Sequence, residues 1–354
     1  MEDLDHSPFD QLRTKFSGDW RAISEAREYT TQRLRDLESL KEFESDNTSV
    51  VVFGSFARSE LTPGSDVDWS LLIDGPAAPE HDRIVQAVGR RFEELGLQEP
   101  GTTQTFGTLV TSHELIQNIG GLNDTNQNLT RRTLLLLESH AVTNPIVRDR
   151  VLRGVLNRYI DSDTSVAWHT RPVQIIPRFL LNDIARYWRT MAVDYAAKRW
   201  EQSDRKWALR NAKLRMSRKL LFASGLLLCF SFELYSPENR EDILSDSAMV
   251  APRLADFLLR QISLTPLDIL SQGLLRTDQG EATRDIMGSY DAFLSLLADP
   301  DRRKHLESLR FEKAVGDSVF EHVRELSHSF QRGLNKLFFE AEVIKELTTA
   351  YGVF

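Results

Sequence analysis

Apolar residues recur at heptad-like spacing from about Phe9 to Phe43, where Leu12, Phe16, Trp20, Ile23, Ala26, Tyr29, Leu34, Leu37 and Leu40 stand among charged neighbours. That period predicts one or two helices packing on a core. The pattern then shortens. Ser49-Val50-Val51-Val52-Phe53 is a β-branched apolar run bounded by Asp46-Asn47 and Gly54, which predicts a buried strand. A turn by composition, Thr62-Pro63-Gly64-Ser65, leads into Asp66-Val67-Asp68-Trp69-Ser70-Leu71-Leu72-Ile73. In a strand starting at Asp66, the two aspartates and Ser70 share one face and Val67, Trp69 and Leu71 share the other. After a break at Pro76 to Pro79, Ile84, Val85, Val88, Phe92 and Leu95 repeat at helical spacing up to Gly96, and Gln104–Thr111 reads as a third strand.

Beyond Gly120-Gly121 the period is helical almost to the end. Helices are predicted over Leu129 to Ser139, Pro145 to Tyr159, Pro177 to Trp200, Lys206 to Phe232, Arg240 to Leu264, Pro266 to Leu275, Glu281 to Leu297 and Phe311 to Ala350. The expected class is α+β, a small mixed-sheet domain followed by a larger all-helical domain. Residues 1–45 are expected as a helical segment packing on the core, 46–160 as the sheet-bearing domain, and 161–354 as a helical domain closing the cleft. The polar run Ile160-Asp161-Ser162-Asp163-Thr164-Ser165 is the expected junction.

Composition narrows the classes. A chain of 354 residues with 41% hydrophobic content has the size and make-up of a soluble globular protein with one large core or two ordinary ones, and two domains is the expectation. Its single cysteine, Cys229, lies in the apolar run Leu226 to Phe230, which predicts a buried thiol and excludes a disulfide framework. The longest apolar stretch, Leu220 to Phe232, is too short to span a bilayer. The acidic start Met1-Glu2-Asp3-Leu4-Asp5 does not fit a signal peptide, so the expectation is a cytoplasmic protein without membrane contact. The histidines show no zinc-hydrolase spacing.

Net charge is −8, yet Lys198 to Lys219 holds nine basic residues against Glu201 and Asp204. At 3.6 residues per turn, Lys206, Arg210, Lys213 and Ser217 fall along one stripe. Two readings stand, a solvated face of intrahelical ion pairs and a grip for phosphate oxygens. The turn Ile119-Gly120-Gly121-Leu122-Asn123-Asp124-Thr125-Asn126 and the following Arg131 also read two ways, as an ordinary capped turn or as backbone closing over a ligand.

The candidate chemistry sits between the first two strands. Gly54 has no side chain and lets an anion approach the backbone, and Ser55 caps a short turn of helix that presents N–H groups. Carboxylates two residues apart lie roughly 6.6 Å apart along a strand, at about 3.3 Å per residue. That spacing suits a pair of Mg²⁺ ions about 3.5–4 Å apart, as in two-metal phosphoryl transfer, and hard oxygen ligands suit the ion.

The run Phe53-Gly54-Ser55-Phe56-Ala57-Arg58-Ser59-Glu60-Leu61-Thr62-Pro63-Gly64-Ser65-Asp66-Val67-Asp68 resembles the signature of the DNA polymerase β-type nucleotidyltransferase superfamily. Within it the Arg-x-Glu-Leu-x-Pro-x-Ser-Asp pattern is most similar to the bacterial nitrogen-regulatory uridylyltransferases and the signal-transduction nucleotidyltransferases related to them. The resemblance covers roughly residues 45–115. It implies a Mg²⁺-dependent transfer of a nucleoside monophosphate from a nucleoside triphosphate such as ATP to an acceptor hydroxyl, with pyrophosphate leaving. Asp66 and Asp68 would be the catalytic metal ligands. Gly54, Ser55, Arg58 and Ser65 would seat the phosphates; the basic run of the helical domain, outside the resemblance, adds Arg210 and Lys213 as candidate phosphate contacts. The acceptor stays open among a protein, an RNA and a nucleotide. Many members of the superfamily carry a third carboxylate on a later strand, and the equivalent stretch Thr102 to Thr111 has none, which leaves Glu114 and Asp124 as substitutes. A nucleotide-binding sensor that keeps the fold with weak or no catalysis is the alternative.

Overall fold

The computed structural model describes residues 7–97, 106–161, 174–201, 206–234 and 249–352. The chain divides into two compact units that interleave in sequence. One comprises Arg27–Asp183 and Tyr235–Thr265, the other Met1–Ala26, Ile184–Leu234 and Pro266–Phe354. The division therefore does not follow the linear order 1–45, 46–160, 161–354. Residues 27–45 group with the sheet and the first residues with the C-terminal helices. The expected junction after Asp161 lies outside the described residues.

The first unit carries a four-stranded mixed sheet in the order β3-β2-β1-β4, with β1 Thr48–Phe53, β2 Trp69–Ile73, β3 Thr108–Thr111 and β4 Ser139–Ala141. β1 pairs antiparallel with β2, Val50 opposite Leu71 and Val52 opposite Trp69. β2 pairs parallel with β3, Ser70 opposite Thr108. Every residue of β1 and β2 is buried, because helices cover both sheet faces. On one face Val50, Val52, Val67, Trp69, Leu71 and Ile73 pack with Val88 and Phe92 of the helix Pro79–Glu94 and with Leu37 and Leu40 of the 3-10 turn Leu37–Phe43. Trp69 stacks on Phe92 at 5.4 Å between ring centres. The helix Pro145–Asp161 packs against β1 and β2.

Two expectations change here. β2 begins at Trp69, so Asp66 and Asp68 precede the strand, although Val67 and Trp69 still enter the core and the alternation survives. The fourth strand was not predicted. Ser139–Ala141 is a three-residue edge, too short for a period, and becomes a strand only because β1 offers it a partner, Phe53 opposite Ser139.

The second unit is helical. Asp299 caps Pro300–Ser308, accepting from the N–H groups of Asp301 and Arg302, and Asp317 caps Ser318–Phe339, accepting from Phe320 N. Gly280–Ala298 runs against Ser318–Phe339 so closely that a Cβ on Gly333 would stand 2.7 Å from Ile286. The predicted helix Lys206 to Phe232 is two helices, Trp207–Arg215 and Ser217–Phe230, parted at Met216 (φ −113°, ψ −84°). Likewise the stretch from Phe311 to Ala350 is broken by caps into a 3-10 turn, Ser318–Phe339 and Glu342–Leu347. Cys229 is fully buried, and burial pushes its thiol far up from its ordinary pKa. Among the described residues no helix is long and apolar enough to cross a membrane.

Candidate active site

β1 ends where Phe53 leaves the ladder extended and Gly54 turns with φ +66°, a conformation that side chains disfavour. Gly54–Ala57 form one helical turn, whose first-turn N–H groups have no acceptor within the helix. Ser55, half-buried, stands in this turn. The chain returns beside its own start: Phe53 N donates to the Asp68 carbonyl at 2.8 Å, one step beyond the Val52–Trp69 pair. A Cβ on Gly54 would lie 3.5 Å from Asp68 Oδ2. The Asp68 carboxylate thus sits over the Gly54 backbone, at the turn predicted to meet phosphate. Asp66 and Asp68 are both half-buried, flanking Val67, which is 1% exposed and fixed in the core.

The connection between them is held by buried polar contacts. Arg58 Nε donates to Glu60 at 2.8 Å and Arg58 also pairs with Glu138, all three side chains being buried. Glu60 N donates to the Ser55 carbonyl at 2.8 Å, and Leu61 N to Thr30 Oγ1 at 2.9 Å. Ser65 closes the following turn, with its Oγ 3.2 Å from Thr62 N and 3.1 Å from Thr62 Oγ1. Of the residues predicted at the phosphates, Gly54 and Ser55 therefore line the turn, Ser65 shapes the approach to Asp66, and the Arg58 guanidinium faces carboxylates. Glu138 and Thr30 were not singled out from the sequence. Both lie far along the chain from Arg58 and Leu61, and no local pattern marks them.

The substitutes for a third carboxylate differ in their surroundings. Carrying the β2–β3 register back two residues sets Phe106 beside Asp68, its ring 5.1 Å from that of Phe53. Gln104 lies outside the described residues. Glu114 is exposed, in the helix Ser112–Gln117. The Asp124 side chain is 2% exposed and receives both ends of the Arg132 fork at 3.0 Å. Arg132, fully buried, also donates through Nη2 to Asp183 and through Nε to the Tyr159 hydroxyl, which donates to Asp183, each at 2.6 Å. Burial opposes the Arg132 charge, but the Asp124 hydrogen bonds, Tyr159 and Asp183 outweigh it and raise its pKa. Burial likewise drives the Tyr159 phenol well above its ordinary value. Asp124 thus anchors the turn from Gly120, as a structural turn does. Neighbouring Arg131 has its pKa lowered by burial, with Glu114 opposing.

Arg210 and Lys213 belong to the helical unit, half-buried on Trp207–Arg215. The predicted stripe from Lys206 stops short of Ser217, because the break at Met216 starts a new helix there.

A small mixed sheet, a glycine turn after its first strand and two aspartates entering the next make up the candidate site. Residues 35–103 match the family model described as nucleotidyltransferase domain. No curated protein and no solved structure matches the chain. The matched segment contains Gly54, Ser55, Asp66 and Asp68.

Proposed function

We propose that the protein transfers a nucleoside monophosphate from a nucleoside triphosphate to an acceptor hydroxyl, with Asp66 and Asp68 as the residues that hold Mg²⁺. The observation that carries this is the Asp68 carboxylate over the Gly54 turn. Among the described residues no cluster of three or more His, Cys, Asp or Glu side chains forms a closed metal cage. Two half-buried carboxylates fit Mg²⁺ in the manner of sites where waters and substrate phosphates complete the shell. When bound, Mg²⁺ supplies charge neutralisation on the phosphates and activation of the attacking hydroxyl. The chain's own part is positional. The Gly54–Ala57 N–H groups receive phosphate oxygens, the Ser55 hydroxyl adds a donor, and the buried Arg58–Glu60–Glu138 set keeps the turn in one shape.

A second reading is favoured by Phe106 standing beside Asp68 and by Asp124 being committed to Arg132: a nucleotide sensor with weak turnover. Incubation with Mg²⁺ and each labelled triphosphate, in the presence of cell protein, RNA and nucleotide fractions, separates the two. The transferase reading expects label in one fraction and pyrophosphate release that falls by at least about 100-fold in Asp66→Asn and Asp68→Asn, the scale of a lost transition-state contact. Triphosphate binding without release in any fraction supports the sensor. Release unchanged in both variants removes the aspartates from the reaction.

A further inference from the structure

The helical unit carries an open cavity of about 600 Å³ that the nucleotidyltransferase reading does not use. Ligand sites for small organic molecules span about 300–1,000 Å³. Its aromatic wall is Trp207, which meets Phe311 edge-on and Phe320 at a tilt, both at 5.1 Å between ring centres. Trp207 and Phe320 are buried, whereas Phe311 and Val315 at the cavity wall are 42% and 91% exposed. Large apolar side chains left in water beside an aromatic hollow mark a surface that gains by being covered.

Charge decides what kind of molecule covers it. Two arginines line the cavity. Arg324 is neutralised by Glu321, its Nη1 lying 2.9 and 3.0 Å from the two carboxylate oxygens. Arg215 has no carboxylate partner among the described residues. Its Nε donates to Asn211 Oδ1 at 2.7 Å, and Asn211, 9% exposed, donates in turn to the Tyr195 hydroxyl at 2.8 Å. The amide and phenol orient the guanidinium, which forms no ion pair with a described carboxylate. Burial and the Arg215 charge together lower the pKa of Lys219, so two cations are held near one another. The carboxylate of Glu312 lies on the exposed 3-10 turn of the rim. An oriented guanidinium against apolar aromatic walls suits a planar ligand with one anionic end.

We propose that this cavity binds a small aromatic anion, its ring against Trp207, Phe311 and Phe320 and its carboxylate or phosphate on the Arg215 fork. Aromatic carboxylates and nucleoside monophosphates share that chemistry. The test is isothermal titration of the full-length protein, in EDTA, with phenylacetate and with adenosine 5′-monophosphate, and with benzyl alcohol and adenosine as neutral counterparts. The proposal expects one of the two anions, or both, to saturate a single site, with the neutral counterpart at least about tenfold weaker. Arg215→Gln weakens that binding about tenfold or more. Phe311→Ala, at a position 42% exposed, weakens it severalfold, and Asp68→Asn leaves it unchanged. Phenylacetate alone identifies a carboxylate ligand and the monophosphate alone a nucleotide, either outcome supporting the site. Absence of binding by both anions, or equal affinity in wild type and Arg215→Gln, overturns it. So does loss of binding in Asp68→Asn with retention in Arg215→Gln, a result that leaves the transferase reading standing.

Discussion

At Gly54 the backbone conformation and the chemistry meet in one residue. Its φ of +66° is disfavoured for any side chain, and the nearest atom to a built Cβ is Asp68 Oδ2 at 3.5 Å, an ordinary contact. Conformation rather than crowding therefore requires the glycine. Gly54→Ala is expected to destabilise the protein by about 1–2 kcal/mol, the usual cost of a left-handed alanine, as measured by urea unfolding. Nucleotide turnover is expected to fall further than stability accounts for, because the turn that presents its N–H groups shifts. Wild-type stability in the variant would mean that the strain at this residue is not what the backbone angle indicates. Gly54 and the two aspartates were legible from sequence because each declares itself locally: a glycine closing an apolar run, and acids alternating with core residues.

At the scale of the element, the connection from Gly54 to Asp68 is a loop whose rigidity comes from outside it. Arg58 is one cation between two buried carboxylates, Glu60 and Glu138. Arg58→Met leaves those carboxylates facing each other, and is expected to cost about 3–5 kcal/mol, as loss of one partner of a buried pair does. Glu138→Gln leaves a balanced pair and is expected to cost about 1 kcal/mol. Equilibrium unfolding of the two variants reads the difference. An Arg58→Met protein of full stability that binds triphosphate poorly would assign the guanidinium to the ligand instead. The sequence marked Arg58 as a residue that seats the phosphates, but its partner Glu138 comes from the segment before β4, and only pairing of β4 with β1 brings it there. The same limit applies to the basic helices. Their charge was plain, yet the break at Met216 was hidden inside a continuous helical period, since no glycine or proline marks it.

For the whole molecule, stability at alkaline pH depends on the cluster of Arg132, Asp124, Asp183 and Tyr159. Burial raises the Tyr159 pKa in the folded state, so its contribution is fully present below the unfolded tyrosine value, about 10, and is lost as pH climbs from there through the folded value. Tyr159→Phe, which deprives Arg132 Nε and Asp183 of a partner, is expected to lower stability by about 1–3 kcal/mol near neutral pH. The gap to wild type should narrow above about pH 10, followed by urea unfolding across pH. A gap that widens there would reverse the assigned direction. The sequence by itself determined the strand–turn–strand around Gly54, the aspartates and the helical character of the second half, because these rest on spacing and local backbone preference. Only the tertiary structure decided the strand β4, the interleaving of the two units and the partners of Arg58 and Arg132. Those depend on which distant segments meet, and a buried charge takes the counter-charge that packing brings to it, which no local spacing encodes.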